Sequence, residues 1–186
     1  MNVIDTDTIM VATRDWVETA VIGLNLCPFA KAVHAKEQIR YVVSTARDAD
    51  ALLRDLCGEL AHLAATDPVQ TDTTLLIHPW VLKDFLDYND FLDVADAALE
   101  ALDMDGQLQV ASFHPDYQFA DSAPDAIENC SNRSPYPTLH LLREASIDRA
   151  VAAFPEAEDI FSTNILTLRA LGWAGWRALN SRSGTP

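Results

Sequence analysis

The chain has 186 residues, of which 49% are hydrophobic and 22% are charged, a composition typical of one soluble domain with its own core. Its 28 acidic and 13 basic residues give a net charge of -15, which disfavours binding to nucleic acids and to anionic membranes. No apolar run reaches the roughly 18 residues of a membrane span, and the acidic N-terminus is unlike a signal peptide. Three cysteines are too few for a disulfide framework. We therefore expect a cytoplasmic protein.

Hydrophobic periodicity predicts helices and strands in alternation. The predicted helices cover residues 8–24, 48–64, 83–102, 146–154 and 156–171. The predicted strands, which are rich in β-branched and other apolar residues, cover residues 39–45, 73–77, 108–113 and 138–143. The order contains two strand–helix–strand units, and such units make right-handed crossovers between parallel strands.

This order of elements predicts an α/β fold. We expect a single-domain sandwich of three mostly parallel strands plus a fourth strand, with helices packed on the sheet in two or three layers. The fourth strand follows a long loop, so it can also run antiparallel to the others. One domain is expected to cover residues 1–186, and its tail, residues 181–186, is expected to fray.

The stretch 112–143 concentrates side chains that can bind or react, and His114 directly follows the predicted strand 108–113. Ligands of open parallel sheets bind beyond the carboxyl ends of the strands. We therefore predict His114 as a general base or a metal ligand, Asp116 as the group that orients it, and Tyr117 as a donor of a proton or hydrogen bond. His78 stands in the same position after another strand. In the alternative interpretation, each histidine only caps its strand through a hydrogen bond.

The long loop 117–137 and the strand after it carry candidates for binding an anionic group. Arg133 and Tyr136 lie near the proline-rich exit of the loop, and Arg143 ends the following strand. A guanidinium held in a stiff loop suits a carboxylate or phosphate of a small molecule. The alternative for Arg133 is a structural ion pair. His140 and Arg143 are three residues apart in a strand, so we expect them on opposite faces of the sheet.

A thiol and a metal site are the remaining chemical candidates. Cys27 precedes Pro28, and a helix starting there would lower the pKa of its thiol and make it a second catalytic candidate. His114, His140 and Cys130 could together hold a transition metal such as zinc or iron, although their spacing matches no established metal motif. The glycine-rich motifs of nucleotide-binding sites are absent.

The predicted helix 83–102 carries an acidic stripe. Its members, which recur every three or four residues, are Asp84, Asp87, Asp90, Asp93, Asp96 and Glu100. One interpretation is a surface that binds cations or a basic partner. The other is an ordinary solvated face of an amphipathic helix.

Four long segments carry a resemblance to a known family. They read LNLCPFAKAV, DYNDFLDVAD, ASFHPDYQFA and NRSPYPTLHLLREASI. Together they resemble the bacterial family DUF1415 over most of the chain, from about Trp16 to Leu171. The resemblance implies a small, stand-alone bacterial protein of the cytoplasm, and it carries no activity, cofactor or site residue over to this chain.

These observations leave two function classes open. The leading hypothesis is an enzyme that acts on a small anionic molecule at a site built from 112–143, by acid–base or metal-dependent chemistry. The alternative is a non-catalytic binding protein that uses the acidic helix 83–102. A concave pocket where His114 and Arg133 converge would favour the enzyme, and structural pairing of these groups would favour the binding protein. The oligomeric state stays open.

Overall fold

The structure, a computed structural model, describes residues 5–154 and 159–182 and contains one four-stranded sheet. The strands are β1 (Ile39–Val43), β2 (Thr73–Ile77), β3 (Leu108–Phe113) and β4 (Thr138–Arg143). The α-helices are α1 (Thr6–Trp16), α2 (Ala30–Ala35), α3 (Ala49–Ala65), α4 (Phe85–Ala101), α5 (Glu144–Ala153) and α6 (Ile160–Arg182). A π-helix over Val17–Ile22 continues α1, and a 3-10 helix covers Ile127–Asn132.

The sheet is mixed, with the strand order β1-β2-β4-β3. β1 pairs with β2 in parallel, and β4 pairs antiparallel with both β2 and β3. Three strands therefore run in one direction, and the α/β fold class is confirmed. The fourth strand does not add to the edge but inserts between β2 and β3, so only one pair of neighbours is parallel.

Helices cover both faces of the sheet, which makes three layers. On one face, four leucines of α3 (Leu52, Leu56, Leu60 and Leu63) and Tyr88 of α4 pack on Leu76, Leu139 and Leu141 of the central strands. On the other face, α1, its π-helical continuation and α6 pack on Leu75 of β2 through Trp16, Val17, Leu168 and Trp176. Burial of each such leucine contributes about 1.5–3 kcal/mol to stability, so the central strands β2 and β4 are held from both sides.

The helix bounds differ from the predicted ones mainly at both ends of the chain. The predicted helix 8–24 is α-helical only to Trp16 and then widens to a π-helix, where the N–H of Gly23 bonds the carbonyl of Glu18. The predicted helix 156–171 starts at Ile160 and continues to Arg182, with a break at Gly172 (φ 63°). Residues 155–158, where that helix was predicted to begin, and 183–186 of the predicted tail lie outside the described residues.

Candidate functional site

His114 follows β3 directly, as predicted, but its ring is fully buried and both ring nitrogens have backbone partners. The N–H of Asp116 donates to Nδ1 at 3.0 Å, so Nδ1 is unprotonated. Nε2 therefore carries the proton and donates to the carbonyl of Leu82 at 3.3 Å. Burial lowers the pKa of His114 below its usual range, which keeps the ring neutral. This arrangement leaves His114 no free lone pair for a substrate or a metal, and Asp116 orients it through its backbone.

Leu82, the acceptor for His114, has a positive φ of 52°. The left-handed conformation costs a leucine about 1–2 kcal/mol, and it directs the carbonyl of this residue toward the buried ring. The hydrogen bond from His114 offsets part of that cost. The contact joins the loop after β2 to the end of β3, so His114 braces two strand ends.

His78 and Tyr88 extend this buried group. His78 donates from Nδ1 to the carbonyl of Val81 at 3.1 Å, and its ring stacks on Tyr88 with centroids 5.7 Å apart. Tyr88 also lies 5.1 Å from the ring of His114. Its hydroxyl donates to the carbonyl of Thr138 at 2.9 Å and accepts the N–H of Phe113 at 3.1 Å, so it links α4 to β3 and β4. Burial lowers the pKa of His78 to about 4.

Arg133 fastens the long loop rather than pairing with an acid. Its Nε donates to the carbonyl of Tyr117 at 3.1 Å and its Nη2 to that of Pro124 at 2.7 Å. The guanidinium also lies over the ring of Trp173, 5.8 Å from its centroid. Arg133 therefore has structural contacts, but its partners are backbone carbonyls and not the acidic side chain that the alternative expected.

Asn129 also holds this loop together, although the sequence did not mark Asn129 as important. The side chain is fully buried, and its Oδ1 accepts from the N–H of Phe119 at 3.1 Å and from Ser122 Oγ at 2.6 Å. Its Nδ2 donates to the carbonyl of Ala123 at 2.8 Å. The only sequence signal for it is an asparagine in a long loop, which also fits an exposed position.

Tyr117 and Tyr136 lie in different surroundings. The ring of Tyr117 contacts Phe85 and Phe119, with centroids 5.2 and 5.1 Å away, and its hydroxyl is 3.5 Å from Ser112 Oγ. Tyr136 is buried with Ile9, Ala12 and Ile77 on the α1 side of the sheet, and burial raises the pKa of its phenol. The two predicted site tyrosines therefore belong to separate clusters.

Arg143 was predicted to share a substrate site with Arg133, and the structure contradicts that placement. Arg143 pairs with Leu108 at the start of β3, whereas His114 follows the end of β3, so the two lie at opposite ends of the sheet. Its Nη2 lies 2.6, 2.7 and 3.0 Å from the carbonyl oxygens of Leu63, Thr66 and Thr71. A cation suits the negative end of α3, so Arg143 caps that helix.

The predicted metal ligands are not brought together. His140 Nε2 lies 2.7 Å from Thr73 Oγ1 on the face opposite Arg143, as the strand period predicted, and burial lowers its pKa to about 4. Cys130 is fully buried among apolar side chains, and burial raises its pKa to about 11. Within residues 5–154 and 159–182, no group of three His, Cys, Asp or Glu side chains is arranged to hold a metal ion.

Cys27 has a raised pKa, so the predicted activation of its thiol is wrong in direction. The helix that follows begins at Ala30, and the N–H groups of Ala30 and Phe29 do lower the pKa of the thiol. Burial against the apolar cluster on that side of the sheet is the larger effect and raises it. The prediction considered how the helix N-terminus lowers the pKa of the thiol, but it neglected how burial raises that pKa.

The outer face of α4 is strongly acidic. It exposes five carboxylates, those of Asp87, Asp90, Asp93, Asp96 and Glu100. None of these forms an ion pair with any described residue. Leu86 and Val94 are 71% and 40% exposed on the same face. Asp84 differs from the rest of the stripe because it caps the helix at the N–H of Leu86.

Comparison with known proteins identifies the chain. Residues 8–178 match the model of the family described as "Protein of unknown function (DUF1415)", which confirms the resemblance seen in the sequence. Because the match covers most of the chain, the protein belongs to this family. No curated protein and no solved structure matches it. Among the described residues, no helix combines the length and apolar character that crossing a membrane requires.

Proposed function

We propose that this DUF1415 protein is a non-catalytic binding protein whose outer α4 face docks a basic segment of a partner protein. The observation that carries the proposal is the row of five exposed carboxylates on that face, none of which forms an ion pair with a residue that the structure describes. At 1.5 Å per residue, the row from Asp87 to Glu100 is about 20 Å long. That length matches a basic helix of several turns.

The charge pattern of α4 is unlike that of an ordinary solvated helix. Such faces usually mix acidic and basic residues at spacings of three and four, which adds a few tenths of a kcal/mol per pair. Here the sequence contains no Lys or Arg from Asp84 to Asn132. Neighbouring carboxylates on this face therefore repel each other, and a partner that brings lysines or arginines would relieve the repulsion.

The same face also offers apolar contact. Leu86 and Val94 protrude among the carboxylates. Protein interfaces combine an apolar centre with a charged rim, and rim charges chiefly raise the association rate and its salt dependence. An amphipathic basic helix in the partner would supply both kinds of complementarity.

The enzyme hypothesis has less support. His114 and Arg133 use their hydrogen-bonding groups to hold backbone atoms. A small anionic substrate would also approach a protein with a net charge of -15. General acid–base catalysis needs a side chain within hydrogen-bond reach of the substrate, and a fully buried ring with both nitrogens occupied does not offer one.

The test begins with in-cell crosslinking and mass spectrometry, which identify a partner and the residues it touches. Calorimetry with that purified partner then compares wild type, the double variant Asp90→Asn/Asp93→Asn and the matched double variant Asp125→Asn/Asp148→Asn. Both variants remove two exposed charges, so they differ only in location. At about 50 mM salt, where screening is weak, we expect at least tenfold weaker binding for the α4 variant alone. Equal loss in both variants, or crosslinks that avoid α4, would refute the proposal.

We also infer a cytoplasmic location. Cys27, Cys57 and Cys130 are all free thiols, and free thiols persist in a reducing compartment. Cell fractionation with antibody detection checks this inference, and recovery of the protein from the periplasm or the medium would contradict it.

A further inference from the structure

A cavity of about 160 Å³ lies where the turn after the π-helix meets the start of α6. It is separate from the α4 face and from the buried histidines. Its lining residues are Asn25, Pro28, Phe154, Asp159, Ile160, Thr163 and Asn164. Two of them, Asn25 and Pro28, flank Cys27 in the segment LNLCPFAKAV.

Specific contacts hold the walls of this cavity in place. Asn25 adopts a left-handed conformation with φ 54°, which asparagine tolerates better than most residues. The carbonyl of Leu26, the next residue, accepts a hydrogen bond from Asn164 Nδ2 at 2.9 Å. The rings of Phe29 and Phe154 meet edge to face with centroids 6.1 Å apart. The turn and α6 are thus joined beside the cavity rather than merely adjacent.

The lining indicates the charge of a ligand. Among the described residues that line it, Asp159 is the only charged one, and none is Lys or Arg. The first turn of α6 contributes the positive end of a helix dipole, equivalent to about half an elementary charge, which is smaller than the full negative charge of Asp159. The net charge of -15 adds to the negative potential. A cation is therefore favoured over an anion.

The lining also indicates the chemical type of the cation. Asn25, Thr163 and Asn164 offer carbonyl and hydroxyl oxygens that accept hydrogen bonds from an ammonium group. Phe154, Pro28 and Ile160 offer an apolar wall, and the half-exposed ring of Phe154 can attract a cation through its π face. A volume of about 160 Å³ equals that of about five liquid waters at roughly 30 Å³ each. A metal ion would leave most of that volume empty.

We propose that this cavity binds a small organic amine, an alkylammonium compound of about five to eight non-hydrogen atoms, with its nitrogen at Asp159 and its carbon chain against the apolar wall. The proposal does not depend on the function proposed for α4, because the two surfaces share no residue. It assigns a ligand class to the segment around Cys27 without assigning any reaction to the thiol.

The test is an NMR titration of uniformly ¹⁵N-labelled protein with n-butylamine hydrochloride, with sodium butanoate and 1-butanol as matched anionic and neutral probes. We expect saturable shifts of the backbone amides of 25–27 and 160–164 with n-butylamine alone. Asp159→Asn should weaken this binding at least tenfold, whereas Asp148→Asn, an exposed acid on α5, should leave it unchanged. Thr163→Trp, which fills the cavity, should abolish it while the rest of the spectrum stays that of the folded protein.

Three outcomes would overturn the proposal. Saturable shifts with butanoate would make the site an anion site at the end of α6. Shifts spread over α4 and other acidic surfaces, equally reduced by both aspartate variants, would mean nonspecific attraction of cations. Absence of saturable shifts with n-butylamine would mean that the cavity does not select amines.

Discussion

Acid should destabilise this protein through its buried histidines, and His78 provides the sharpest test. Burial lowers the pKa of His78 and of His140 from 6.5 to about 4. Both are therefore neutral in the folded protein at pH 5, whereas the unfolded chain binds a proton at each. The perturbation is a fall in pH from 7.5 to 5, applied to wild type and to His78→Gln and His140→Gln.

The magnitude follows from proton linkage. A proton bound only by the unfolded chain lowers the free energy of unfolding by about 1.4 kcal/mol per pH unit. Between pH 6.5 and pH 5 this is about 2 kcal/mol for each histidine, or about 4 kcal/mol for the two. The stability that depends on the neutral rings is fully present above the unfolded pKa and is lost progressively as the pH falls toward 4. The loss is large against the 5–15 kcal/mol of a typical domain.

Urea denaturation followed by circular dichroism at pH 7.5, 6 and 5 measures the effect. We expect His78→Gln to be less stable than wild type at pH 7.5. The difference between their free energies of unfolding should be about 2 kcal/mol smaller at pH 5. His62→Gln, at an exposed position of α3, is the matched control and should follow wild type. Each variant is compared with wild type at the same pH, so effects of acid that they share cancel. Parallel curves for His78→Gln and wild type would refute the reasoning.

Three further predictions concern groups whose roles the structure defines. Tyr88→Phe removes a buried hydroxyl with two backbone partners and should lower the free energy of unfolding by about 1–3 kcal/mol, measured in urea; an unchanged midpoint would contradict this. Arg143→Met leaves the carbonyls at the end of α3 without their cation and should cost about 2–3 kcal/mol, whereas the exposed Arg149→Met should cost much less, and equal losses would argue against the capping role. Because burial raises the pKa of both Cys27 and Cys130, neither should react quickly with a thiol reagent at pH 8 until urea is added; rapid labelling of Cys27 or Cys130 in the native protein, distinguished from labelling of Cys57 by peptide mass spectrometry, would contradict this.

Strand positions were predictable because their signal is local. The apolar runs of β2 and β3 end at histidine–proline pairs, and the observed bounds of β2, β3 and β4 equal the predicted ones. The place of β4 between β2 and β3 was not predictable. Strand order depends on which partners share a register across the sheet, and β4 has the same apolar alternation that an edge strand would show. Its two fully buried leucines, Leu139 and Leu141, indicate a central position in the sheet only when both neighbouring strands are known.

For the site, too, the sequence predicts the residues but not their partners. The sequence identifies His114 and Arg133 as reactive side chains at a strand end and in a long loop. It does not reveal that the carbonyls of Leu82, Tyr117 and Pro124 will take up their N–H groups. Those carbonyls are distant in sequence or belong to turns, one of them with a positive φ at a leucine. Backbone acceptors leave no mark in residue identity, so structural and catalytic uses of a polar side chain look alike in the sequence.

The loop 117–137 shows why this ambiguity arises. A long irregular segment that covers a core must satisfy its buried backbone groups without strands or regular helices. Side chains with several donors and acceptors do this most efficiently, as the buried amide of Asn129 and the guanidinium of Arg133 do here. Arginine, asparagine, histidine and tyrosine therefore accumulate in an ordered loop for the same chemical reason that they accumulate in active sites. The distinguishing property is a donor or lone pair left free in a concave, accessible place, and His114, which is buried with both ring nitrogens bonded, lacks it.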